Sequence, residues 1–236
     1  MNYVDIHNHS LYGIDDGAES CEQMQCMLDD AYRRGTRVIC FTPHLYPGMF
    51  SADDGEKEAA FLAAKQYVQT KYPDLELHLA CELRYSPNCM SWFHSSKYGC
   101  LDGQKAVLVD FAARESANHI IRGLHDLLSS GYLPVLAHGE RYRNLPLAQI
   151  RELRKREILI QVDTQSFSGG FGIQARIRAN RMLAKNLIDI VSSDAHDCAR
   201  RPPDMQTCYC YIKRKKGAAY AQTLFAANAR QLLYNG

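Results

Sequence analysis

The sequence predicts an α/β fold, a single domain in which seven parallel strands alternate with helices and approach a barrel. Three observations predict it. Short β-rich apolar runs recur seven times, and the segments between them mostly carry helical periodicity. No Pro/Gly/Ser-rich linker, low-complexity tract or internal repeat interrupts the alternation, so one domain is expected over residues 1–236. With 46% hydrophobic and 23% charged residues, the chain can bury a full core, and disordered, collagen-like and membrane classes are disfavoured.

The seven runs are residues 4–6, 37–41, 75–80, 106–109, 133–137, 158–162 and 188–192. Between the fourth and fifth, Ala117, Ile120, Ile121, Leu124, Leu127 and Leu128 fall at helical spacing, and Gly131 stops the helix. Residues 45–55 and 85–103 read as long loops after strands, where functional side chains tend to collect.

Six of the seven strand ends are followed by candidate residues able to bind a cation. His7 and His9 follow the first run and point the same way if the backbone stays extended. Asp16 lies on the turn Gly13-Ile14-Asp15-Asp16-Gly17, and His44 follows Pro43. Glu82, Asp110, His138, Asp194 and His196 close later runs. Any one of these could be the first solvated position after a strand. In a parallel arrangement, however, all of them ring one opening. Carboxylates packed together disfavour one another's ionisation, and two or three divalent ions would remove that cost. The remaining histidines lack this placement: His78 is expected within a strand, His94 in a loop, and His119 and His125 on a helix.

The net charge of +2 gives no strong pull towards nucleic acid or an anionic membrane. The basic run Lys213-Arg214-Lys215-Lys216 precedes Gly217 and reads as a solvated helix end. Nine cysteines without paired metal-ligand spacing fit a reducing compartment. The N-terminus lacks a signal-peptide pattern, and no apolar run is long enough to insert in a bilayer, so a cytoplasmic location is expected. Cys208 and Arg214 have Cys-x5-Arg spacing, but the intervening Tyr-Cys-Tyr-Ile-Lys has no glycine with which to curl round a phosphate. A cysteine-nucleophile phosphatase is therefore disfavoured.

Taken in order, these segments resemble the polymerase-and-histidinol-phosphatase (PHP) superfamily and, within it, the bacterial manganese-dependent tyrosine-protein phosphatases of capsular and extracellular polysaccharide synthesis. The resemblance covers nearly the whole chain: Asp5-Ile6-His7-Asn8-His9, the doubled Asp turn, Thr42-Pro43-His44, the strand ending at Glu82, Val107-Leu108-Val109-Asp110-Phe111, His138-Gly139-Glu140-Arg141-Tyr142, and Ser193-Asp194-Ala195-His196 leading to Arg201-Pro202-Pro203. It implies a distorted seven-stranded TIM-like (β/α)7 barrel holding three divalent ions, Mn²⁺ foremost, with Fe or Zn as alternatives. By resemblance, His7, His9, Glu82 and Asp194 hold one ion, and Glu82 bridges to a second held by Asp110 and His138. Asp16, His44 and His196 hold a third, while Arg141 and Arg201 bind phosphate. Two positions depart from the family: Asp110 replaces its usual Glu, and Gly139 a bulkier apolar residue.

The implied activity is hydrolysis of protein phosphotyrosine, with a phosphotyrosyl protein such as a bacterial tyrosine kinase as partner. A histidinol-phosphate or other small-molecule phosphomonoesterase is the alternative, and a metal-stabilised binding module the non-enzymatic one. Tyr12, Tyr46, Phe50, Tyr85 and Phe167 are candidates for walls around a phenyl ring, and Asp197 is a candidate general acid.

Overall fold

The structure, a computed structural model, describes residues 2–101, 103 and 105–234; Met1, Asp102, Gln104, Asn235 and Gly236, which fall within the expected domain span 1–236 and loop 85–103, lie outside the described residues. The first half contains β1 (Tyr3–Asp5), α1 (Cys21–Arg33), β2 (Thr36–Phe41), β3 (His44–Leu45), α2 (Asp54–Lys71), β4 (Glu76–Leu79), β5 (Glu82–Arg84), α3 (Cys89–Ser95) and β6 (Ala106–Asp110). It continues with α4 (Ala117–Ser129), β7 (Leu133–Leu136), α5 (Leu147–Arg154), β8 (Leu159–Asp163), α6 (Thr164–Ser168), α7 (Gly172–Ala184) and β9 (Ile190–Ser192). The last helices are α8 (Met205–Lys216), α9 (Ala218–Gln222) and α10 (Asn228–Tyr234).

The helices begin where side chains satisfy the free N–H groups of their first turns. Ser20 and Ser116 accept from Gln23 and His119 at the starts of α1 and α4, and Asp53 forms a reciprocal capping box with Glu56 on α2. The helices then bury one face each: Met24, Met27, Leu28 and Ala31 on α1, and Ile120, Gly123, Leu124 and Leu127 on α4. The basic run ends α8 at Gly217, as the sequence predicts. Cys208 and Arg214 lie on that same helix, which cannot wrap a phosphate.

Every strand pairing among the described residues is parallel, in the orders β1-β2-β4 and β3-β5-β6-β7-β8-β9. Each of the seven predicted runs contains a strand, and two are followed by a further short strand that was not expected: β3 after Thr42-Pro43 and β5 after Ala80-Cys81. Nine segments in sheets of three and six strands therefore stand where seven uninterrupted strands in one barrel were expected. Pro43 has no N–H to donate, so the ladder is interrupted there. Contact across the break persists through Ala80 N to Phe41 O (2.9 Å) and Glu82 N to Pro43 O (3.1 Å). The first and last strands meet beyond their ends: Asp194 N donates to His7 O and His9 N to Ala195 O, both at 2.9 Å. His94 lies on α3 rather than in a loop, whereas His78, His119 and His125 fall on β4 and α4 as expected.

Gly17 closes the doubled-Asp turn under the ligand-bearing strand. A Cβ there would stand 1.8 Å from His9 O and 2.7 Å from His9 Cβ, with backbone rather than a flexible side chain in the way. Gly17→Ala is expected to destabilise the protein by about 2–3 kcal/mol through overpacking, lowering Tm by roughly 5–10 °C. Thermal unfolding of the variant checks this, and an unchanged Tm would show that the turn moves freely.

Candidate metal centre

The C-terminal ends of the strands deliver the side chains, and the alternation of β1 decides which ones face inward. His7 and His9 are both buried and bracket Asn8, which turns away to donate from Nδ2 to Asp5 Oδ2 and to accept from Ser10 N. Asp5 also accepts from Ser193 N at 2.9 Å and from Ser193 Oγ at 2.5 Å, fastening the first strand to the segment that follows the last.

His7 Nε2 and His9 Nε2 face each other at 3.1 Å. Each ring's other nitrogen already has an acceptor: His7 Nδ1 lies 3.2 Å from Gln161 Oε1, and His9 Nδ1 lies 2.7 Å from Asp15 Oδ2. The Gln161 oxygen is identified by its acceptance from His138 N (2.7 Å), while Gln161 Nε2 donates to Asp163 Oδ1 (2.9 Å). With protons on both Nδ1 atoms, two lone pairs converge, an arrangement that a cation turns into ligation. The donor set therefore fits a metal. Burial opposes a charged His7, but the Glu82 and Asp194 carboxylates outweigh it and push the imidazole up to about 10. Burial and the nearby His196 push His9 down to about 4.

Among the described residues, three groups of side chains bring their ligand atoms close enough to hold an ion: His9, Asp16, His44 and His196; His7, His9 and Asp194; and His7, Glu82 and His138. Burial works against charge on His44, but Glu82, at 2.9 Å from its Nδ1, and Asp16 push it up to about 11. Hydrogen bonds from His196 and His44 lower Asp16 far below the usual carboxylate range. Two of the contributors sit in backbone conformations costly for side-chain-bearing residues, His138 at φ +36° and Asp194 at φ +51°.

Eight of the nine expected ligands fall in these groups, and Asp110 stands beside them. Its Oδ1 accepts from Tyr142 Oη at 2.8 Å and lies 3.6 Å from His138 Nε2, while Arg84 Nη2 holds its Oδ2 at 2.7 Å. The shorter side chain is thus tethered from behind. Gly139 is accounted for by Ile160, whose Cγ2 would stand 2.8 Å from an added Cβ and so occupies that space.

Arg141 and Arg201 converge on one atom: their Nη1 and Nη2 lie 3.2 and 2.5 Å from Asp194 Oδ2. Between them sits Phe171, whose ring centroid is 4.8 Å from the Arg141 guanidinium carbon and 5.3 Å from that of Arg201. Sequence reasoning missed Phe171, Arg84, Gln161 and Asp163. Arg84 was within reach, since it lies two residues beyond Glu82 on the same strand and therefore on the same side.

Arg84, Arg141 and Arg201, with carboxylates and imidazoles that include Asp194 and His138, line a cleft of about 180 Å³ whose apolar rim is Tyr46, Met49 and Phe50, with Phe50 stacked on His44 at 5.0 Å. A larger cavity of about 390 Å³ lies between α6 and α8, and it is set apart from the imidazole and carboxylate groups. Of the aromatic candidates, Tyr46 and Phe50 reach the cleft. Tyr12 packs against the core beside α1, Tyr85 donates to Asp126, and Phe167 is buried beside the larger cavity. Asp197 does not line the cleft; its Oδ1 accepts from the N–H groups of Ala199, Arg200 and Arg201.

The capsular polysaccharide synthesis family CpsB/CapC matches residues 3–234. Tyrosine-protein phosphatase CpsB of Streptococcus pneumoniae is 31% identical over 237 residues, covering 98% of each chain. Tyrosine-protein phosphatase YwqE of Bacillus subtilis (strain 168) is 29% identical over 237 residues, covering 98% of this chain and 92% of that protein. Among solved structures, one described with YwqE from Bacillus subtilis and CpsB from Streptococcus pneumoniae as unique metal-dependent tyrosine phosphatases superposes with a TM-score of 0.85. Its identity is 27%, with 98% of this chain and 94% of that one covered.

Proposed function

The chain belongs to the CpsB/CapC capsular polysaccharide synthesis family, and from that membership we propose that it is a metal-dependent phosphatase that hydrolyses phosphotyrosine in proteins. The observation that carries the chemistry is the pair of opposed imidazole nitrogens, 3.1 Å apart, within a ring of carboxylates and beneath two arginines. We assign His7, His9, Asp16, His44, Glu82, Asp110, His138, Asp194 and His196 to a centre of three divalent ions, with manganese as the metal; the carboxylate donors suit it, while the imidazoles equally suit iron or zinc. Divalent ions there would neutralise the phosphoryl oxygens and supply hydroxide near neutral pH.

The chain's own part is to hold and orient the ester. Arg141 and Arg201 offer planar, charge-assisted hydrogen bonds to the phosphoryl oxygens, and the face of Phe171 keeps the two guanidinium groups in place. Arg201 Nε is buried without a hydrogen-bond partner among the described residues, so that donor is unused. Tyr46, Met49 and Phe50 supply apolar contact for a phenyl ring beside the phosphate. A phenol leaves with a pKa near 10, which reduces the demand for a general acid.

In this reading the protein substrate is a bacterial tyrosine kinase that controls capsular or extracellular polysaccharide synthesis in the cytoplasm. Nine cysteines accord with that compartment, and no helix among the described residues is long and apolar enough to cross a membrane. The hydrogen bonds between the segments following β1 and β9 support a single domain built as a distorted seven-stranded barrel.

The deciding test is a phosphate-release assay on chelator-stripped protein reconstituted with Mn²⁺, comparing a phosphotyrosyl peptide with histidinol phosphate. Higher kcat/KM for the peptide is expected. Preference for histidinol phosphate would overturn the substrate and keep the metal chemistry, and inactivity towards both would indicate a binding module.

A further inference from the structure

Outside the cleft, two cysteines meet across the fold. Cys26, on an exposed position of α1, and Cys198, in the turn between β9 and α8, are separated by 172 residues of sequence, yet their Sγ atoms stand 2.6 Å apart. Both residues are exposed. That separation is already close to the bond length of a disulfide, about 2.05 Å.

Both sides of the pair are held in register by contacts that involve neither sulfur. Asp197 Oδ1 accepts from the N–H groups of Ala199 (2.6 Å), Arg200 (2.5 Å) and Arg201 (3.2 Å), which fixes the turn around Cys198. At the end of α1, Arg34 donates from Nε to Asp30 Oδ2 at 2.8 Å and pairs through Nη1 with Asp204 Oδ2 at 2.9 Å. The helix is therefore already tied to the start of α8, on the far side of the same turn. By contrast, Cys40, Cys81, Cys89 and Cys208 are buried.

We propose that Cys26 and Cys198 form a reversible disulfide that fastens the turn carrying His196 and Arg201 to α1. The oxidant is a low-molecular-weight disulfide. One cysteine thiolate attacks it, breaking its S–S bond and releasing one thiol, and leaves a mixed disulfide on the protein. The second cysteine thiolate then attacks the protein sulfur of that mixed disulfide, releasing the other thiol and forming the Cys26–Cys198 bond. Two electrons and two protons pass from the protein to the oxidant, and an excess of thiol reverses the exchange. The sulfurs meet while Asp194, His196 and Arg201 hold their places in the cleft, so closing the bond leaves the site assembled. Its effect is on the unfolded chain, where a cross-link spanning most of the sequence removes conformational freedom.

The test uses the full-length metal-loaded protein with oxidised glutathione as oxidant. Peptide mapping without reductant should recover a Cys26–Cys198 cross-link that dithiothreitol removes. The oxidised protein should melt at least about 5 °C higher, with phosphatase kcat/KM kept within about twofold. Cys26→Ser and Cys198→Ser should each abolish both the cross-link and the shift in Tm while retaining activity. Oxidation that labels these cysteines with glutathione but never links them would overturn the proposal. So would a rise in Tm that persists in Cys26→Ser, or a loss of activity on oxidation that Cys26→Ser prevents.

Discussion

Asp194→Ala is expected to lower kcat by at least about 10³-fold and to leave the purified protein short of metal, because one carboxylate serves both halves of the site. Its Oδ1 lies 3.3 Å from His7 Nε2 and 3.5 Å from His9 Nε2, and its Oδ2 receives both arginines. Removing it takes a ligand from the opposed imidazoles and leaves two guanidinium groups without their shared acceptor. A partly buried charge deprived of its partner carries a cost, so the variant should also unfold at lower temperature. Metal content by elemental analysis, phosphate release and circular dichroism separate these effects. A folded variant with full metal content and unchanged turnover would remove Asp194 from the assignment.

Arg201→Ala should behave differently. Its guanidinium lies beside the proposed ions rather than among their ligands, so metal content is expected to stay at the wild-type level while kcat/KM for a phosphotyrosyl peptide falls by about 10²–10³-fold. Arg201→Lys should recover little of the loss, because an ammonium group cannot reproduce a planar fork of donors. Steady-state kinetics beside metal analysis decide the matter. Unchanged kinetics in Arg201→Ala would remove the phosphate role, and loss of metal would recast the residue as a support for Asp194.

The sequence made the clustered imidazoles and carboxylates legible because they recur in the short polar segments that follow apolar runs. That pattern brought together residues as distant as His9 and His196, whose ring centroids are 4.2 Å apart. It failed where the apolar run itself was interrupted. Gln161 lies in the middle of β8, fully buried, and appears in the sequence as an isolated polar residue in a strand. Its purpose, to accept from His138 N and from the His7 ring, depends on neighbours on other strands. Phe171 stands between glycines in a segment with no charge pattern, and only the fold brings it under two arginines. The interruption between the second run and β3 was partly visible at Pro43. The matching break at Ala80-Cys81 was not, since nothing in its composition departs from a continuous strand.

The bond from Asp5 to Ser193 joins residues 188 positions apart, and it implies an order of events while the chain is being made. At a translation rate of about 5–20 residues per second, His7 and His9 leave the ribosome roughly 10–40 s before Asp194 and His196 exist to meet them. Throughout that interval β1 can pair with β2, but its other edge faces a segment that has not been synthesised. The two histidines can attract metal during this time, but they lack the ligands that complete the cluster. In the proposed assignment, activity therefore appears late and all at once, with the arrival of the segment from Asp194 to Arg201 rather than in proportion to the length made.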